Sequence, residues 1–202
     1  MKVALCLSGH FRTFYKTKST WISKIEEKYS PDVFIHTWST LGFGRPLGDK
    51  NQKKIIDKNA KYGDSRVEFC RQSPDLDNGV FSSAFSNIKK VIIEDYKDVE
   101  SEILTICSKI DLSVSPYFDY PPNFISAQRK TFLCNEIKKQ AELEQGHKYD
   151  IVIKARPDLQ INNLNLTVES IGDHCYLPSD QAYHGVSDIF AVGTSKTMDR
   201  YC

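Results

Sequence analysis

Tyr149-Asp150-Ile151-Val152-Ile153-Lys154-Ala155-Arg156-Pro157-Asp158-Leu159 is the stretch on which the reading of the fold turns. Its β-branched apolar run has the composition of a buried strand, and Pro157, which has no amide hydrogen for a sheet ladder, ends it. A buried strand therefore delivers Arg156 and Asp158 at its carboxyl end. In open α/β sheets ligands bind outside that edge, because the strands fix the backbone while the loops after them carry polar groups. Arg156 and Asp158 thus mark an active-site rim; a local ion pair in a solvated turn is the alternative reading of the same residues.

Working outward, the chain from Ser126 to about Gln145 reads as the longest helix, with Leu133, Ile137 and Ala141 turned inward and Gly146 as its stop signal. Gln128, Arg129 and Lys130 fall in its expected first turn, where helix amides and cationic side chains suit a diphosphate. Downstream come a short helix near Leu166 to Ile171, a strand over His174 to Leu177, a loop, and a strand from Asp188 that runs into a helix starting near Ser195. At the amino end a strand over Lys2 to Ser8 leads through Gly9, His10, Phe11, Arg12 and Thr13 into a helix whose Phe14, Trp21, Ile22, Ile25 and Tyr29 share one face. Ser8, Gly9, Arg12 and Thr13 form a candidate phosphate turn, although neither a Walker loop nor a dinucleotide fingerprint is present and an ordinary strand-to-helix turn fits equally. Asp32 to Trp38 is a second strand, whose far end carries His36 and Trp38, where an aromatic ring would stack on a base. Ile88 to Glu94 is a third, followed by an amphipathic helix marked by Val99, Ile103, Cys107 and Ile110 and by an aromatic loop from Pro116 to Pro122. Strands alternating with helices predict an α/β, mostly parallel, doubly wound sheet.

Composition bounds the function. The 202 residues, 40% of them hydrophobic, suffice for one sizeable core and predict a single domain. A net charge of +1 supplies no global field for nucleic acid or an anionic membrane, so an anionic ligand has to be held locally. No run is apolar enough over the length of a bilayer, and the amino end lacks a signal-peptide pattern, so the expected location is cytoplasmic. The six cysteines contain no Cys-x-x-Cys pair and signal neither a zinc site nor a disulfide framework. Leu41 to Ser86 reads as a lid or variable insert with a short helix at Lys53 to Lys61; its Asp75 and Asp77 form an Asp-x-Asp pair, but one set in turn chemistry rather than at a strand end. Cys202 ends the chain inside an expected helix, so the chain reads as one domain of a longer polypeptide.

Four stretches carry a resemblance: Leu7 to Thr13, Asp32 to Trp38, Gln128 together with Tyr149-Asp150 and Arg156-Pro157-Asp158, and Ser187 to Gly193 with Met198 and Tyr201. In order and spacing they resemble a family of small nucleotide-sugar-dependent glycosyltransferases, found among bacterial surface-polysaccharide enzymes and in viruses and phages that encode their own glycosylation. The resemblance implies a GT-A-like fold, a UDP or GDP sugar donor, a glycan or protein-linked glycan acceptor, and action in the cytoplasm, that of the host if the chain is viral. It also implies that an acidic motif binds a divalent cation, manganese or magnesium, on the diphosphate. Here Arg156-Pro157-Asp158 stands in place of Asp-x-Asp, with Lys154 and Ser187 as milder departures, so Asp158 is the one expected metal ligand and Arg156 a direct partner of the diphosphate.

Glycosyl transfer needs positive charge at the leaving diphosphate and, for inversion, a carboxylate base at the acceptor hydroxyl. Arg12, Arg156, the helix amides near Gln128 and, through a bound metal, Asp158 meet the first need; Asp188, then Asp180, are the candidates for the second. A non-catalytic nucleotide- or carbohydrate-binding module of a larger protein is the alternative, and a sulfotransferase or nucleotide kinase is disfavoured by the lack of a phosphate loop.

Overall fold

The computed structural model describes residues 1–42, 75–77, 79–109, 121–178 and 188–202. Strands β1 (Val3–Ser8), β2 (Asp32–Trp38), β3 (Ile88–Glu94), β4 (Ile151–Ala155) and β5 (Phe190–Gly193) form one sheet in the order β3-β2-β1-β4-β5. β1 runs parallel to β2 and β4, and β2 parallel to β3; β5 alone opposes its neighbour. β1 and β4 are buried throughout, as strands covered on both faces must be. β3, at the edge, exposes Lys89 and Lys90, charges that discourage pairing with another chain.

Helix α1 (Phe14–Trp21) continues through a π-helical turn (Ile22–Glu26) into a last helical turn (Glu27–Tyr29). It stops at Ser30, which takes a left-handed conformation (φ 43°) just before Pro31. The expected stripe is found: Phe14, Trp21 and Ile25 are buried against Leu5, Leu7, Ile35 and Ile153, with Ile22 and Tyr29 at the margin. The short α2 (Gly79–Ser82) adds Phe81 to the same face, its ring 4.7 Å from that of Phe11. On the opposite face lie α3 (Tyr96–Cys107), α4 (Pro121–Gln145) and, after the short α5 (Val168–Ile171), α6 (Ser195–Tyr201). There Ala4, Cys6, Phe34 and Val152 pack with Cys134 and Met198, and Trp38 packs with Val99, Ile103 and Ile125. Helices cover both faces of a mostly parallel sheet, as strand and helix alternation predicts.

α4 departs from expectation twice. It begins at Pro121 rather than Ser126, because proline is at home in a first turn, where its missing N–H has no helical partner to lose; Ser126 instead donates its hydroxyl to the Pro122 carbonyl (2.6 Å) inside the helix. Its buried face is also not the Leu133, Ile137, Ala141 stripe. Lys130, Cys134 and Lys138 are the fully buried residues, together with Thr131, Asn135 and Glu142, while Ile137 and Ala141 sit at the cluster's margin. The charges are tolerated because each is paired. Lys138 reaches Asp199 at 2.7 Å and Glu142 at 3.3 Å, Lys148 reaches Glu142 at 2.8 Å, and Ser195 donates to Glu142 at 2.5 Å. This polar network fastens α6 to α4 beside the apolar cluster that holds Cys134 and Met198.

Smaller differences follow from missing partners for regular pairing. The expected strand at His174 to Leu177 is a single antiparallel bridge between Tyr176 and Val192, and the strand expected from Asp188 begins at Phe190. Asp77 accepts from the Gly79 amide (2.8 Å) at the start of α2, and Asp75 bridges to Thr40. The helix expected at Lys53 to Lys61 and most of the aromatic loop lie outside the described residues. Among the described residues no helix is long and apolar enough to cross a membrane.

Candidate active site at the carboxyl edge of the sheet

The chain winds from β1 outward to β2 and β3, then returns to place β4 on the other side of β1, so the strand order reverses between β1 and β4. Such a switch point leaves a crevice outside the carboxyl ends of the two strands, with loops diverging on either side. Arg156 stands there directly after β4, its amide donating to the Ile189 carbonyl at 2.9 Å. Its guanidinium grips Asp158 through both oxygens, Nε to Oδ1 at 3.0 Å and Nη2 to Oδ2 at 2.7 Å, and Nη1 has no partner among the described residues. Arg12, in the turn after β1, brings Nη1 to 3.9 Å from the same carboxylate. Burial works against the charge of Arg156, yet its hydrogen bonds to Asp158 and the charges of Asp158 and Asp188 outweigh it and raise its pKa.

The antiparallel entry into β5 brings Asp188 to this edge as well. Its side chain is exposed, and its backbone carbonyl accepts from the amine of Lys154, a buried side chain on β4. Desolvation lowers the Lys154 pKa, with the charge of Asp188 pulling the other way. Of the residues expected from the sequence, Arg12, Arg156, Asp158 and Asp188 therefore converge on one edge; Asp180 lies outside the described residues.

The other residues expected at the nucleotide are placed as follows. Ser8 is buried, its hydroxyl 3.2 Å from that of Thr131. Gly9 adopts φ +106°, and its amide and carbonyl are already taken by the His36 carbonyl (3.2 Å) and the Thr37 hydroxyl (2.8 Å). Thr13 precedes α1 without a side-chain capping bond. His36 and Trp38 are only 2% and 5% exposed, so neither offers a face to a base. The reason is that α3 and α4 cover the end of β2: the Lys130 amine sits 3.6 Å over the Trp38 ring and Tyr96 meets it edge-on. Gln128 and Arg129 lie well inside α4, where backbone amides serve the helix ladder. Arg129 is further committed to Glu94 (2.7 Å) and Glu102 (3.1 Å).

These residues have a supporting role instead. Lys130 donates to Glu94 (2.6 Å) and to the Thr37 carbonyl (3.0 Å), Thr37 holds Gly9, and Thr131 meets Ser8. The turn that leads to Arg12 is thus braced from α4. Sequence reasoning missed Lys130, Thr131 and Glu94 in this role; the one available signal was the helical spacing of Lys130, Cys134 and Lys138.

The edge carries strongly shifted groups. Burial lowers His36 to about 4, with Lys130 adding to it and Glu94 opposing, and burial followed by the charge of Arg12 lowers His10 to about 4. Because the ordinary histidine value is 6.5, the unfolded chain binds more protons than the folded one between pH 6.5 and about 4. Stability is therefore full above pH 6.5 and declines as pH falls through that window, by at most about 2.7 kcal/mol per pH unit for two protons. Urea unfolding at pH 7, 6, 5 and 4 measures it; a constant midpoint across the series contradicts the lowered values of both rings.

Asp158 does not fit a resident divalent cation as the side chains stand, since both its oxygens are engaged by a guanidinium and Arg12 lies close by. Among the described residues no group of three or more histidine, cysteine or acidic side chains is placed to hold a metal ion. A cavity of about 440 Å³ on the α1 and α2 side is lined by Phe11, Leu41, Val80, Lys18, Asp75 and Asp77. With two carboxylates against one lysine it does not suit an anion, so the arginine crevice is the better anion site. Neither a protein-family model, nor a curated protein, nor a solved structure matches the chain.

Proposed function

We propose that the chain is a nucleotide-sugar-dependent glycosyltransferase with a GT-A-like fold, holding the diphosphate of a UDP or GDP sugar at the switch point between β1 and β4. The observation that supports it is the convergence of Arg12, Arg156, Asp158 and Asp188 on that edge. Three cationic side chains, Arg12, Lys154 and Arg156, face two carboxylates, Asp158 and Asp188, which leaves a local excess of positive charge in a chain whose net charge is only +1. Guanidinium groups suit a diphosphate because their planar donors match its oxygens and their charge survives burial. In transfer, an acceptor hydroxyl of a glycan bonds to the anomeric carbon as the bond from that carbon to the diphosphate oxygen breaks. The electron pair leaves with the diphosphate, whose charge the arginines stabilise, and the hydroxyl proton passes to Asp188.

The grip of Arg156 on Asp158 favours a second reading, a nucleotide-binding module without turnover, because it leaves the rim carboxylate no open oxygen. Incubation with UDP and GDP sugars, with and without manganese, separates the two. The transferase reading expects release of the nucleoside diphosphate; the module reading expects a raised melting midpoint with no release.

A further inference from the structure

One polar group on this edge is held ready and has no role so far. His10 Nδ1 lies 3.3 Å from the Thr40 carbonyl, and a carbonyl only accepts, so Nδ1 carries the hydrogen of the ring. The ring is neutral near pH 7, as its burial and the nearby charge of Arg12 require, so Nε2 carries a lone pair. No donor among the described residues meets Nε2, and the residue is only half-buried.

The ring is also fixed in place. It lies 6.0 Å from the Trp38 ring, which also has the Lys130 amine 3.6 Å from its centroid. Against its near side stands Gly42, where an added Cβ would fall 2.6 Å from the imidazole Cγ and Nδ1. Gly42 also sits at φ +73°, a conformation that suits glycine and lets the backbone close on the ring. His10 stands in the turn after β1, two residues before Arg12, whose Nη1 lies 3.9 Å from the Asp158 carboxylate, so the ring belongs to the same carboxyl edge as the anion crevice.

We propose that His10 Nε2 is a hydrogen-bond acceptor for a hydroxyl on the group that the bound diphosphate carries, making His10 a specificity residue of the crevice. The proposal rests on the reading of that crevice as a nucleoside diphosphate site. A ribose hydroxyl and a hydroxyl of the transferred sugar share this chemistry, and the arms of the test distinguish them. A site that accepts from a hydroxyl discriminates against ligands lacking it, because the acceptor is then left unpaired.

Calorimetric titration with pyrophosphate, UDP and UDP-glucose tests it on the native chain and on His10→Asn, His10→Phe and His10→Gln. Asparagine keeps a polar group near Nδ1, phenylalanine keeps the ring, and glutamine alone of the three places a polar atom near Nε2. His10→Asn and His10→Phe are expected to weaken UDP binding by roughly three- to ten-fold while leaving pyrophosphate unchanged, with His10→Gln close to native. A loss seen with UDP assigns the ribose; a loss seen only with UDP-glucose assigns the transferred sugar. Equal losses for pyrophosphate, unchanged affinity for all three ligands, or glutamine no better than phenylalanine overturns the role of His10. Failure of the native chain to bind any of the three overturns the site itself, a result distinct from all of these.

Discussion

Asp188→Asn is expected to lower the rate of glycosyl transfer by about a hundred- to ten-thousand-fold while donor binding stays near native. The amide keeps the shape of the side chain and removes its basicity. The backbone contact that places the residue, the Asp188 carbonyl accepting from Lys154, does not involve the carboxylate and survives the change. The exposed side chain makes large folding effects unexpected. Measured turnover beside donor affinity checks this. A loss of affinity equal to the loss of rate assigns Asp188 to the donor, and near-native turnover removes it from the base role.

Glu94→Gln is expected to destabilise the fold by about 3–5 kcal/mol at pH 7, because it leaves the buried Lys130 ammonium without its carboxylate. Glu94 is the shared acceptor for Lys130 at 2.6 Å and Arg129 at 2.7 Å. Burial would raise its pKa, but the hydrogen bonds from those two cations win and hold it at about 2. Its contribution is thus present above the ordinary carboxylate value of 4.5 and is lost as pH falls toward 2. Lys130 behaves oppositely: burial lowers it to about 8 from 10.5 despite Glu94, so the unfolded chain binds the extra proton between those values and stability gains as pH rises through them. Without Glu94 that gain begins at lower pH. Denaturant unfolding at pH 7 and pH 9 should therefore show a large deficit for Glu94→Gln that narrows at pH 9; a deficit below about 1 kcal/mol at pH 7 would mean that the pair is solvated.

The legible parts of the chain were those where one residue type has one structural meaning. Apolar runs mark β1, β2, β3 and β4, and the proline after Arg156 marks where β4 must end, so the rim of Arg156 and Asp158 follows from local chemistry. The α1 stripe was legible because Phe14, Trp21 and Ile25 have no alternative to burial. α4 was misread because its inward face includes Lys130, Lys138 and Glu142, and lysine at helical spacing is ordinarily a solvated face. Only the partners Glu94 and Asp199, 36 and 61 positions away in sequence from the lysines they meet, make that burial tolerable. His36 and Trp38 were placed at the correct strand end, but which helix roofs that end depends on long-range packing. The pairing of Arg156 with Asp158 was visible as one of two readings, whereas the approach of Arg12 to it required the strand order.

The central claim is that the crevice between β1 and β4 holds a nucleoside diphosphate on Arg12 and Arg156. Calorimetric titration of the native chain and of Arg12→Ala with UDP and GDP tests it most directly. The account predicts saturable one-to-one binding of at least one of them, displaced by pyrophosphate, weakened by added salt, and reduced about ten-fold or more in Arg12→Ala at an unchanged melting midpoint. No binding by the native chain, or the same affinity in Arg12→Ala, would contradict it.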